Sequence, residues 1–158
     1  MSMLKLFFWS TFCQIFILNN IYLNGYINPY YYIIFILLMP KKSNKLILLV
    51  LSLILGLTID IFSYTQGAHA VACLLICYVK FLWENKKEDT EEVSNINNMP
   101  MLDFVGFIIP LTIAHHFTLF FLERFSINEI MPVIVLTISS SFFTIILLII
   151  HKSFMPKK

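Results

Sequence analysis

The stretch Leu46–Trp83, LILLVLSLILGLTIDIFSYTQGAHAVACLLICYVKFLW, decides the fold. It holds two apolar runs, Leu46 to Phe62 and Ala68 to Trp83, parted only by Ser63-Tyr64-Thr65-Gln66-Gly67. Both runs are too long for strands and approach the roughly 20 apolar residues that a helix needs to cross a bilayer. The short break predicts a helical hairpin turning at a membrane surface.

The rest of the chain has the same character. Of 158 residues, 59% are hydrophobic and 13% are charged, where a soluble domain has about 45–50% and about 25%. Mean hydropathy is +0.83. These values exclude a disordered chain, a basic nucleic-acid binder and an ordinary soluble enzyme. Further apolar runs cover Leu6–Leu23, Tyr26–Met39, Phe104–Leu122 and Ile130–Ile150. The expectation is an all-α bundle of six transmembrane helices in a single membrane domain, residues 1–158. The second run, about 21 Å as a helix, is short for a core of ~30 Å. It reads as a short span, a tilted partner of its neighbour or a re-entrant piece. The first run follows Lys5 as a signal peptide would, but it contains Gln14, Asn19 and Asn20 and no small-residue cleavage site, so it reads as an uncleaved helix. A polar loop at about 84–102, with the acidic residues Glu88, Asp89, Glu91 and Glu92, separates the fourth and fifth runs. No internal repeat suggests an inverted-repeat transporter.

Charge placement orients the chain. With six crossings, Lys5, Lys41, Lys42, Lys45, Lys80, Lys86, Lys87, Lys152, Lys157 and Lys158 share one side, and only Arg124 lies on the other. The positive-inside rule then places both termini in the cytoplasm, and the asymmetry requires the short second run to cross. Tyr22, Tyr26, Tyr30, Tyr31 and Tyr32 near the first outer turn, Asn24 to Pro29, and Tyr64 near the second read as interfacial anchors. Trp9, Tyr78 and Trp83 do the same on the inner side.

Ionisable residues inside spans are costly and are functional candidates by default. Asp60 shares a helix face with Ser52 and Gly56, where small residues admit a neighbouring helix. Its plainer role is to brace the turn Ser63–Gly67. His69, Cys73 and Cys77 also share a face, but one straight helix spreads them over ~12 Å, too far for a single ion. His115 and His116 point ~100° apart, one toward the interior and one toward a helix boundary. Hydrogen bonds to Ser139, Ser140 or Ser141 suit them better than a proton relay. Glu123 and Arg124 read as an interfacial pair of little energetic weight. No P-loop, G-x-S-x-G, H-E-x-x-H or C-x-x-C is present, and four glycines leave no phosphate-binding loop. No catalytic residue, cofactor or metal is expected.

The run Gly56-Leu57-Thr58-Ile59-Asp60-Ile61-Phe62-Ser63-Tyr64-Thr65-Gln66-Gly67-Ala68-His69-Ala70 resembles the rod shape-determining protein MreD family. The family has a G-L-x-x-D-x-[FL]-S…G pattern joining its third and fourth helices. The specific likeness covers roughly 56–83 and extends to Tyr78-Val79-Lys80 and to the short second run ending in Met39-Pro40. Elsewhere it is one of hydropathy and spacing. The matching positions are Gly56, Asp60, Ser63 and Gly67, with His69 beside them.

The resemblance implies a fold similar to the S-components of energy-coupling-factor transporters, in the bacterial inner membrane. It implies a non-enzymatic scaffold of peptidoglycan elongation. Its partners would be MreC, the MreB filament, the RodA glycosyltransferase and a class B penicillin-binding transpeptidase, with no nucleic acid. The outer third–fourth hairpin would receive MreC or the periplasmic side of the synthase. The competing reading is an S-component-like vitamin-binding subunit, which needs convergent polar groups such as Asp60, His69 and His115. A membrane enzyme would have to rest on Asp60 with His69.

Overall fold

The computed structural model describes residues 3–21, 27–41, 43–86, 96 and 98–155. Among them the chain is all-helical. Helix α1 (Met3–Phe12) continues as a π turn (Cys13–Ile17) and a 3-10 turn (Leu18–Asn20). A 3-10 turn (Tyr31–Ile33) leads into α2 (Ile34–Leu37), followed by α3 (Lys45–Ser63), α4 (Ala68–Lys86) and α5 (Met101–Arg124). A last 3-10 turn (Ile127–Glu129) opens α6 (Ile130–Ser153). Three helical stretches, Lys45–Ser63, Met101–Arg124 and Ile127–Ser153, are long and apolar enough to cross a membrane. Helix α4 is as long as α3, but Lys80 and Glu84 in its C-terminal half make it less apolar.

Asn24, Gly25 and Tyr26 of the expected outer turn Asn24 to Pro29, Tyr22, and the acidic run Glu88, Asp89, Glu91 and Glu92 lie outside the described residues. So do Lys42, Lys87, Lys157 and Lys158.

Local chemistry sets the helix ends. The Asn44 side chain accepts from the Leu46 and Ile47 amides and so caps α3. Helix α3 ends on Tyr64 and α5 on Phe125, both left-handed at φ 57° and 41°, in the position usually taken by glycine. Gly67, at φ +88°, supplies the tighter reversal into α4.

Helices α3, α4, α5 and α6 pack in chain order, and α1 lies against the Tyr31–Leu37 segment and α3. The second run differs most from expectation. Its helical part is the seven residues Tyr31–Leu37, not Tyr26–Met39, and from Tyr30 to Leu37 no residue is more than 8% exposed. Tyr30, Tyr31 and Tyr32 are therefore core residues, not interfacial anchors. A seven-residue helix enclosed by others leaves its terminal amides and carbonyls out of reach of water, so other helices have to satisfy them. Gln14, in the π turn, donates to the Pro29 carbonyl at 3.1 Å and accepts from the Tyr32 amide at 3.4 Å. Thr144 of α6 accepts from the Tyr30 amide at 2.9 Å. At the other end the Lys80 ammonium donates to the Met39 carbonyl at 2.7 Å and pairs with Glu84 at 3.1 Å. Lys80 is fully buried, so it serves this segment and not the solvated inner surface where its sequence position had placed it.

Candidate functional site: a buried polar cluster beneath the α3–α4 turn

The α3–α4 hairpin is closed by the residues of its own motif. A methyl group on Gly56 would lie 2.4 Å from Ala70 Cα and 2.8 Å from the His69 carbonyl oxygen, so only glycine permits this helix approach. One turn further on, Asp60 reaches across the turn. Its Oδ1 accepts from the Thr65 hydroxyl at 2.6 Å and the His69 amide at 3.0 Å, and its Oδ2 accepts from the Ala70 amide at 2.9 Å. It thus acts as a detached N-cap, placing a carboxylate on the amides that open α4. Ser63 accepts from the Asn19 side chain at 3.0 Å, which ties the end of the first helical segment to the same place.

Beneath this turn, Tyr32 Oη lies between His69 Nδ1 at 2.7 Å and His115 Nε2 at 2.8 Å. The Tyr30 ring meets His69, His115 and His116 edge-on or tilted, at 5.2 to 6.2 Å between centroids. All five side chains are buried. Asp60 engages only the backbone of His69, so the Asp60–His69 side-chain pair weighed for an enzyme does not form, and Asp60, His69 and His115 do not converge on one point.

Hydrogen accounting fixes the directions. Among the described residues, His115 Nδ1 is buried without a partner. A bare lone pair there costs less than an N–H with no acceptor. His115 therefore carries its hydrogen on Nε2 and donates to Tyr32, which gives its single hydrogen to His69 Nδ1 in preference to the weaker acceptor Cys73 Sγ beside it. His116 diverges from His115, and both are fully buried. Its Nδ1 faces the Thr112 carbonyl at 2.8 Å and must donate to it. Its Nε2 then accepts from Thr144 Oγ1 at 3.0 Å, with the Ser140 carbonyl at 2.9 Å as that hydroxyl's alternative acceptor. The expected partners Ser139, Ser140 and Ser141 are not used. The hydroxyls of Ser140 and Ser141, with those of Thr112 and Thr137, are buried and unpartnered among the described residues.

Together these bonds join the short segment to α4, α5 and α6 through defined tautomers. Such a network holds helices in register, because apolar side chains gain little from leaving lipid for each other. Among the described residues, no group of three His, Cys, Asp or Glu side chains could hold a metal ion. No family model, curated protein or solved structure matches the chain.

A separate cavity of about 400 Å³ opens at the hairpin end, between Tyr64–Ala68 and Val71 on one side and Leu122 and Glu123 on the other. The neighbouring Arg124 turns away to pair with Glu129, not with Glu123 as their adjacency suggests. Sequence reasoning missed Tyr32, Gln14, Lys80 and Thr144 as members of one assembly. The available signal was a lysine and a glutamine inside apolar runs beside a run too short to span.

Proposed function

We propose that this chain is an MreD-like, non-catalytic component of the bacterial cell-elongation machinery. It scaffolds peptidoglycan synthesis in the inner membrane with MreC, MreB, RodA and a class B penicillin-binding transpeptidase. The observation that supports this most is the use made of the motif residues. Gly56, Asp60 and Gly67 are spent on closing and capping a helix hairpin, which is the role a scaffold needs and an active site does not. The fold proposed is six crossings, resembling the S-component fold, with cytoplasmic termini. The first crossing is the helical stretch Met3–Asn20, and the second is the enclosed segment with its flanks. The lysine asymmetry supports the orientation.

The test is depletion of the protein in its own host, with imaging of cell width and of labelled peptidoglycan. Rods that swell and round while sidewall labelling falls are the expected result. Cells that keep their shape but require an added vitamin would overturn the reading in favour of an S-component-like subunit. In volume alone, the cavity of about 400 Å³ beside Thr65, Gln66 and Glu123 would suit that second reading, since it lies within the range of small-molecule sites.

A further inference from the structure

The hairpin end of the bundle carries an unbalanced charge beside a cavity. Asp60, Glu123 and Glu129 face one cation, Arg124, which Glu129 engages. Asp60 is consumed by the turn that it caps. The Glu123 carboxylate has no ion pair among the described residues, and it borders the cavity with Gln66 on the opposite wall. Helix α5 is 24 residues long, about 36 Å, so its penultimate residue falls at the headgroup boundary of a core of ~30 Å. An isolated carboxylate there is a poor lipid contact and an apt partner for a cation.

The remaining lining and its surroundings are apolar. Tyr64, Val71 and Leu122 line the cavity, and Tyr64 is 93% and Phe125 79% exposed. Both aromatic residues are held in the left-handed region, where a residue with a Cβ is disfavoured. Tyr64 thus lines the opening, and Phe125, two residues beyond Glu123, adds a second exposed aromatic ring at this end of α5. A small ligand would be largely enclosed by its site. An open cavity with a carboxylate and exposed aromatics has instead the anatomy of a protein contact, a central anchor pocket within an apolar surround.

We propose that this cavity receives one lysine or arginine side chain from the membrane-flanking segment of a partner protein, with Glu123 as its counter-charge and Tyr64, Val71 and Leu122 packing its aliphatic stem. The inference deepens the scaffold reading and rests on it for the location of the partner outside the membrane. Arginine fits best, because its planar fork can bond the Glu123 carboxylate at two points where lysine offers a single point charge.

The test uses the full chain in its host, with benzoylphenylalanine in place of Phe125, which is exposed and outside the cavity lining. Photocrosslinked protein is identified by mass spectrometry, and each lysine or arginine flanking its membrane helix is changed to glutamate. Crosslinking should fall at least about tenfold in Glu123→Arg and persist in Glu123→Asp. It should return when Glu123→Arg is combined with one cation-to-glutamate change in the partner. If Glu123→Arg does not accumulate in the membrane, Glu123→Gln is read instead and should lose several-fold. An unchanged yield, crosslinks to lipid or to a second copy alone, or a charge exchange that restores nothing would overturn the proposal. So would Glu123-dependent binding of free arginine amide to the purified protein, which would make the cavity a small-molecule site. Rounding on depletion with no charge dependence removes only this pocket, whereas charge-dependent docking in cells that keep their shape on depletion removes only the elongation role.

Discussion

The Lys80 ammonium bonds the Met39 carbonyl, 41 residues away in sequence, at 2.7 Å. This contact ends the enclosed segment that the whole bundle surrounds. Replacing Lys80 with methionine keeps most of the stem and removes the donor, leaving a buried carbonyl unpaired. The expected cost is about 1–3 kcal/mol, read as a lower midpoint of unfolding in mixed micelles. Glu84→Gln should cost less, because Lys80 keeps its carbonyl partner. Equal effects of the two changes would mean that the ion pair, not the carbonyl, is what Lys80 serves.

The α3–α4 approach at Gly56 gives a second contrast. Gly56→Ala drives a methyl group into backbone atoms of α4, which cannot rotate aside as a side chain can. Overpacking of this kind costs about 1–3 kcal/mol, and the backbone obstacle points to the upper end. Gly106→Ala meets nothing within 4 Å and removes a helix-interior glycine, which is worth roughly 0.5–1 kcal/mol. Thermal midpoints of the two variants should therefore move in opposite directions. A stable, unshifted Gly56→Ala would show that the helices do not meet there.

Asp60 is best tested through the backbone that it caps. Asp60→Ala removes three accepted hydrogen bonds, two of them from the opening amides of α4, at a combined cost of about 2–4 kcal/mol. Asp60→Asn keeps one acceptor oxygen and should lose roughly half as much. Hydrogen exchange at the His69 and Ala70 amides is the direct readout and should accelerate in the order wild type, Asn, Ala. Unaltered exchange at those two amides would remove the capping role. Because the Asp60 carboxylate is buried and taken up by this capping, its variants report on folding, and partner contact is better read at Glu123.

These contrasts also show what was legible in the sequence. Helices α3 to α6 follow from runs of apolar residues, and the turn between α3 and α4 from Gly67 and the polar residues before it. The role of Asp60 was readable because its partners lie five to ten residues away. The enclosed segment was not readable. Its backbone bonds come from Gln14, Lys80 and Thr144, on three different helices, and periodicity within one segment carries no information about polar groups supplied by another. The same limit misplaced Tyr30, Tyr31 and Tyr32. A tyrosine cluster at a span boundary looks interfacial until buried histidines are seen to take up the hydroxyl of one of them.

The Tyr32 hydroxyl makes the sharpest prediction, because its one hydrogen forces a pattern on two rings. With His115 donating from Nε2 and His69 accepting at Nδ1, both neutral imidazoles carry hydrogen on Nε2. His116, donating from Nδ1 to Thr112, is the opposite tautomer. Nitrogen-15 spectra of ring-labelled protein distinguish protonated from bare nitrogens and should show two rings of one kind beside one of the other. Among the described residues, Tyr32→Phe removes the one acceptor bonded to His115, leaving both of its ring nitrogens unpartnered, one of them necessarily an N–H. That should cost about 1–3 kcal/mol and let the His115 tautomer signals exchange. His151, near the C-terminal end of α6, bonds the Tyr31 hydroxyl and serves as the internal reference. If His115 is found protonated on Nδ1 in the intact protein, the hydrogen bond runs the other way, and an acceptor for that N–H must lie within the bundle.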